Sequence, residues 1–347
     1  MYCSTCGTLI PDKASFCPEC GSPVSSGGSR DSSEAEAFAS QEAETIPVPD
    51  ASPAPDVVPV PGAPSKGEPK PRHGAVTLGL CILLVGLAFI FQVIGAIIAY
   101  FAALDLDFMV TVFGAIGACL GVCIMGGERM LLPDRASLLY AWKEGWWVVA
   151  VSLILALLEA VSTIVEGETL FTSGWLLRSL GVLALCLGVG VSEEAAFRGL
   201  LFEGMLDATG KHKRGIVAAA VVSSLLFGMA HVVGSFDFRN ALDVAQGVLK
   251  TVQTGTYGFF LAALVLKTRK LWGAVLLHAL DDFLLMLPSV GLQGLEIDLQ
   301  YVSAGEDAIP TIILYSVIII CYLPLVWRGI RMLREVDAPQ LGEFHRG

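Results

Sequence analysis

The sequence predicts an all-α polytopic membrane helix bundle of about eight transmembrane helices, preceded by a small four-cysteine zinc ribbon. Three observations carry this. The 347-residue chain has a mean hydropathy of +0.68 and only 16% charged residues, where soluble domains carry about a quarter. Its apolar residues gather into eight runs, most of which reach the ~20 residues that take a helix across the hydrocarbon. Its first 20 residues hold two Cys-x-x-Cys pairs. The net charge of −11 offers no basic footprint for phosphates, so the lipid bilayer is an expected partner and nucleic acid is not.

From the N-terminus, Cys3 and Cys6 are followed by ten residues and then by Cys17 and Cys20, with Gly7 and Gly21 directly after each pair. Two such knuckles bring four thiolates to one tetrahedral ion, and the glycines let the backbone turn tightly around it. Residues 1–24 are therefore expected to form a ribbon around a structural zinc, because so short a segment has no core of its own and the metal must supply the folding energy. Rubredoxin-like iron and a redox Cys-x-x-Cys pair are the alternatives. Cys81, Cys119, Cys123, Cys186 and Cys321 lie scattered in apolar runs and read as small hydrophobes. Residues 1–24 contain no apolar stretch of signal-peptide type, so the N-terminus is expected to stay in the cytoplasm. Residues 25–73 are rich in Ser, Glu and then Pro, and read as a disordered tether.

The membrane part is expected over 74–330, with a cytoplasmic tail at 331–347. The apolar runs fall at about 75–101, 108–126, 144–164, 175–205, 215–234, 245–266, 271–290 and 309–327. Lys70 and Arg72 precede the first, Arg129 and Arg135 follow the second, and Lys211, Lys213 and Arg214 follow the fourth. Lys267, Arg269 and Lys270 follow the sixth, and Arg328, Arg331 and Arg334 the eighth, while the opposite loops carry Asp105, Asp107, Glu166, Glu168, Glu296 and Asp298. The positive-inside rule places both termini in the cytoplasm, where thiols stay reduced for a zinc ribbon.

Charges inside such runs are costly, so they mark function by default. Glu193, Glu194 and Arg198 stand in the fourth run, Phe227 and His231 in the fifth, and His278, Asp281 and Asp282 in the seventh. Helical spacing lets Glu194 reach Arg198 while Glu193 points ~100° away, which leaves Glu193 as the free carboxylate. A buried ion pair that only fixes packing and histidines that only hydrogen-bond between helices are the plainer readings. A carboxylate beside an imidazole deprotonates a water and passes its proton to a leaving amine, and a second histidine can stabilise an oxyanion. These residues point to peptide hydrolysis inside the membrane. The chain lacks His-Glu-x-x-His, Gly-x-Gly-Asp and Gly-x-Ser-x-Gly, so zincin, presenilin-like and serine mechanisms fit less well. Ser192, Ser223 and Ser224 read as small residues for close helix approach. Glu128, Arg129 and Lys143 read as solvated loop charges, and Glu159 has no assignment.

The ordered motifs Glu193-Glu194-x-x-x-Arg198, Phe227-x-x-x-His231 and His278-x-x-x-Asp282 resemble those of the CAAX protease and bacteriocin-processing (abortive-infection) family of intramembrane endopeptidases, over about residues 110–330. The resemblance implies a helix bundle around a water-filled cavity. In it Glu193 and His231 activate water, while His278 and residue 282 form the oxyanion site. It also implies a membrane protein or peptide as substrate and a bacterial cytoplasmic membrane as location. The ribbon lies outside the resemblance and is a candidate docking module for a cytosolic partner. Better-known members carry Asn where this chain has Asp282. An ionised carboxylate repels an oxyanion, so Asp282 is either protonated or otherwise employed. Glu193, His231, His278 and Asp282 are also an acceptable zinc ligand set, which keeps a metalloprotease open. A non-catalytic scaffold or immunity protein and a proton-coupled transporter are the remaining alternatives. One geometric tension stands out: at ~1.5 Å per residue from the basic loop 211–214, His278 lies shallow and His231 much deeper. Either the fifth helix starts outside the hydrocarbon or it is strongly tilted.

Overall fold

The computed structural model describes residues 74–233, 240–297, 300–340 and 342; the cysteine pairs Cys3/Cys6 and Cys17/Cys20 and the Pro-rich tether lie outside them. Among the described residues every regular element is helical: α1 Gly74–Ala102, α2 Leu106–Ile124, α3 Arg135–Val165, α4 Trp175–Glu194, α5 Glu203–Thr209, α6 Lys213–Ala230, α7 Ala241–Thr268, α8 Trp272–Met286 and α9 Ala308–Glu335. A π-helical segment, Ala195–Phe202, joins α4 to α5 without a break, and a second one, Leu287–Gln293, continues α8. Counting α4 to α5 as one element, the described residues hold eight helices long and apolar enough to cross a membrane. This is a multi-pass membrane protein.

Local chemistry sets the element ends. Asp105 caps α2 by accepting from the Phe108 amide at 2.8 Å, and Asn240 caps α7 through the Leu242 amide at 3.0 Å, which satisfies amides that a helix start leaves orphaned. Asp134 caps α3 through the amides of Ala136 and Ser137, each at 3.0 Å. That cap starts α3 at Arg135, well before the apolar run at 144. Lys143 therefore stands exposed on a helix and not in a loop, and Glu144 is buried against Arg331 at 2.5 Å. At the other end of the chain α9 carries on through Arg328, Arg331 and Arg334 to Glu335.

Lipid gives helices no hydrophobic reason to associate, so close packing of small residues does the work. On α2, Gly114, Gly117, Ala118 and Gly121 are buried on one face. A Cβ at Gly114 would come 2.7 Å from Ser192 Oγ of α4, and one at Gly117 would come 3.0 Å from Ala88 Cα of α1. That stripe holds α1 and α4 together across α2. The α6–α7 crossing is tighter still. A Cβ at Gly228 would lie 2.2 Å from the Thr251 carbonyl oxygen, and one at Gly255 would lie 3.2 Å from that of Ser224. The pairs Ser224/Gly228 and Thr251/Gly255 face one another at four-residue spacing, and they set where α6 ends.

Gly228→Val forces a branched side chain into this backbone contact, and overpacking of this kind costs about 1–3 kcal/mol. Thermal unfolding in detergent is expected to show a lowered Tm, whereas Gly79→Val, at a site with nothing near the added Cβ, is expected to leave it unchanged. Equal Tm values for the two variants would contradict the close crossing.

Candidate active site

Glu193 and Glu194 form the last turn of α4, and Arg198 lies in the π segment that follows. A π turn widens the helix at functional sites; here it coincides with the charged cluster. Arg198 Nη1 donates to Glu194 Oε1 at 2.8 Å, and the two side chains are 2% and 0% exposed. The pair expected from four-residue spacing is therefore present and fully buried. The Arg198 guanidinium carbon lies 4.0 Å above the centroid of the Phe227 ring, a cation–π contact that gains strength away from water. A Cβ at Gly258 of α7 would sit 2.8 Å from Arg198 Nη2, so the missing side chain there makes the room Arg198 occupies.

The second histidine locks onto the same pair. His278, on α8, places Nδ1 2.8 Å from Glu194 Oε1. With Glu194 as carboxylate acceptor, Nδ1 carries a proton and Nε2 is turned toward the cavity. That Nε2 lies 3.7 Å from Glu193 Oε2 and 3.5 Å from Asp282 Oδ2. His231 follows α6 as its C-terminal cap, one residue beyond the helix. Its Nδ1 lies 2.9 Å from the Phe227 carbonyl. Nδ1–H donates to that oxygen, and Nε2, 3.8 Å from Glu193 Oε2, keeps a lone pair in the neutral ring. Phe227 also packs its ring edge-on against His231 at 4.8 Å and His278 at 5.8 Å.

Glu193 Oε2 thus faces two imidazole nitrogens at distances beyond a direct hydrogen bond, and it is a buried oxygen with no hydrogen-bond partner. It opens on a cavity of about 810 Å³ whose lining includes Glu193, His231, His278 and Asp282. Among the described residues no group of three or more His, Cys, Asp and Glu is disposed to hold a metal ion.

His231, just past the end of α6, and His278, on α8, both arrive beside Glu193. Arg269, in the turn between α7 and α8, lies 3.4 Å from Glu203 and donates to Gln340 Oε1 at 2.5 Å, and the Gln340 amide donates to the carbonyl of Gly210 in the α5–α6 turn at 3.0 Å. These bonds tie the two turns together.

Several lining residues had no role assigned from the sequence. Lys250 of α7 projects into the cavity, its Nζ 3.1 Å from Gln253 Oε1 and 4.2 Å from the Tyr301 ring centroid. Its signal was legible, as a lone cation inside the sixth apolar run. Asp281 is buried and turned away from His278; it accepts from the Ser152 hydroxyl of α3 and from Tyr322 of α9 at 3.4 Å. Tyr257 of α7 stands edge-on to His278 at 6.1 Å. Nothing in the spacing of a tyrosine or serine marks it for such a place. Outside the lining, Glu159 of α3 lies near Ser289 of the second π segment.

A carboxylate and two imidazoles thus gather at one cavity, carried by helices long and apolar enough to cross a membrane. Residues 175–284 match the family model described as type II CAAX prenyl endopeptidase Rce1-like, and residues 2–24 match that of a zinc-ribbon domain. The first match suggests intramembrane endopeptidase activity, and it spans Glu193, Glu194, Arg198, His231, His278 and Asp282. It is narrower than the 110–330 over which the motifs suggest a resemblance. The second match suggests structural zinc. No curated protein and no solved structure matches the chain.

Removing one partner of a buried ion pair strands the other and costs about 3–5 kcal/mol. Arg198→Met is therefore expected to destabilise the protein strongly in thermal unfolding. Arg198→Lys should not restore it, because a point cation cannot both donate to Glu194 and lie flat on Phe227. The double variant Glu194→Gln/Arg198→Met should lose less than the sum of the single losses. Wild-type stability in Arg198→Met would show that the pair holds nothing in place.

Proposed function

We propose that this chain is an intramembrane endopeptidase that hydrolyses a peptide bond of a membrane-associated protein or peptide with a water activated by Glu193 and His231. One observation carries the reading: the partnerless Oε2 of Glu193 lies 3.8 Å from His231 Nε2 and 3.7 Å from His278 Nε2 on the wall of the cavity. A gap of this size between acceptors suits a bridging water. One water placed ~2.8 Å from each atom donates a hydrogen to Glu193 Oε2 and the other to His231 Nε2, which leaves its lone pair free for the carbonyl carbon. The proton passes to Glu193 on attack and from Glu193 to the amine nitrogen as the C–N bond breaks. His278, held by Glu194 through Nδ1–H, acts as the imidazolium and donates its Nε2–H to the carbonyl oxygen. Glu194 and Arg198 act through His278 and are positioning residues.

The basic residues Arg129, Lys213, Lys267 and Lys270 flank the turns at one end of the bundle, which supports cytoplasmic termini. A bacterial cytoplasmic membrane fits this arrangement. The donor chemistry of Cys3, Cys6, Cys17 and Cys20 fits a structural zinc, and the ribbon would then serve to dock a cytosolic partner or to select substrate.

The test is cleavage by the detergent-purified full-length protein of a panel made up of a farnesylated CAAX-type peptide and single-span membrane peptides. Glu193→Gln and His231→Ala are each expected to lower kcat/KM by about 10²–10⁴-fold, with Tm retained. Chelation is expected to remove zinc from the ribbon and to leave the cleavage rate unchanged. Cleavage lost on chelation and restored by zinc, together with a second bound metal that disappears in His278→Ala, would make the site a metalloprotease, whereas the same loss with the ribbon's zinc alone would assign the ribbon to substrate selection. A Glu193→Gln variant that still performs the cellular role would make the protein a scaffold.

A further inference from the structure

Tyr257 is built into the cavity in a way that packing does not require. Its residue is 3% exposed, it lines the cavity, and its ring stands edge-on to His278 at 6.1 Å and 79°. Its hydroxyl oxygen is buried and has no hydrogen-bond partner. The neighbouring phenol of Tyr322, with ring centroids 5.8 Å apart, does have one in Asp281. A buried hydroxyl left unpaired costs free energy that a phenylalanine of the same shape would avoid, so a group that completes the bond must enter the cavity for the hydroxyl to be of use. The next residue, Gly258, yields its side-chain space to Arg198, which fixes this stretch of α7 against the cluster that orients His278.

A neutral donor is also what the site otherwise lacks. Asp282 Oδ2 stands 3.5 Å from His278 Nε2, where a carboxylate can accept but, while ionised, cannot donate to an oxyanion. Lys250 is a donor but is engaged with Gln253 and laid over Tyr301.

We propose that Tyr257 is an oxyanion donor of this site, its O–H bonding the scissile carbonyl oxygen as the tetrahedral intermediate forms. The assignment rests on the protease reading above. The water oxygen bonds to the carbonyl carbon, the C=O π pair moves onto oxygen, and the water's proton goes to Glu193. Collapse re-forms C=O, and the amine departs with that proton. Tyr257 keeps its own proton throughout and lends only its hydrogen bond.

The test uses the full-length protein and the peptide of the panel above that wild type cleaves fastest. It also uses the corresponding phosphonamidate, whose tetrahedral anionic oxygen mimics the intermediate. Tyr257→Phe is expected to lower kcat by about 10²-fold with KM within about twofold, to weaken phosphonamidate inhibition by a similar factor, and to leave Tm at or slightly above the wild-type value. A packing role is one that phenylalanine keeps, so it would leave kcat and the ratio of phosphonamidate to substrate affinity as in wild type, which would overturn the proposal. A loss confined to KM would also overturn it. If wild type itself cleaves nothing, the protease reading falls and this assignment falls with it; wild-type cleavage with an unimpaired Tyr257→Phe overturns the assignment alone.

Discussion

The buried pair between Glu194 and Arg198 is the interaction on which the rest of the site depends. Charges removed from water are expensive, and their mutual attraction compensates only when the remaining hydrogen-bonding capacity is also met. Here that condition is met in part: the surroundings supply some partners, while Glu194 Oε2 and Arg198 Nη2 are left without a hydrogen bond. Glu194 Oε1 accepts a second bond, from His278 Nδ1, which turns the other face of that ring to the cavity. Arg198 lies against Phe227, whose carbonyl accepts from His231. One ion pair therefore fixes the orientation of both histidines, one through a carboxylate and the other through an aromatic ring and its backbone. Glu193, the neighbour that takes no part in the pair, turns its uncommitted oxygen toward both imidazoles.

The backbone makes this affordable through space, not through added bonds. Gly258 clears the guanidinium, and Gly228 and Gly255 let α6 and α7 cross closely enough for His231 to reach Glu193. The first π segment begins at the residue after Glu194, and the second π segment follows α8 a few residues past Asp282. Regular α-helix is kept where helices only cross the membrane, and it is abandoned where side chains must converge. The turns contribute too. Arg269 pairs with Glu203 and, through Gln340, reaches the Gly210 carbonyl, so the α7–α8 turn is tied to α5 and to the turn that follows it.

Much of this was legible in the sequence because intramembrane charge has so few innocent explanations. The eight helices followed from run length alone, and the Glu194–Arg198 pair from four-residue spacing. Depth was misleading, since counting from the nearest basic loop separates His231 from His278, and the structure brings both beside Glu193. The start of α3 was missed because its first turns are polar; Asp134 was a cap signal in plain view, and the polar stretch behind it read as loop. Tyr257, Ser152 and Tyr322 were illegible for another reason. A tyrosine in an apolar helix is ordinary, and only the coordinates tell a phenol that bonds Asp281 from one that bonds nothing.

The two adjacent aspartates sharpen that distinction. Successive residues on a helix point ~100° apart, so Asp281 and Asp282 cannot share a task. Asp281 turns between α3 and α9 and is held by Ser152 and Tyr322, which makes it a clamp on the bundle. Asp282, four residues from His278 and therefore on its face, reaches the cavity. The carboxylate that faces the cavity is consequently not the one that braces the helices. In the proposed mechanism an ionised Asp282 accepts but does not donate, so a neutral donor has to come from another helix, and α7 passes Tyr257 beside the ring that Asp282 also faces.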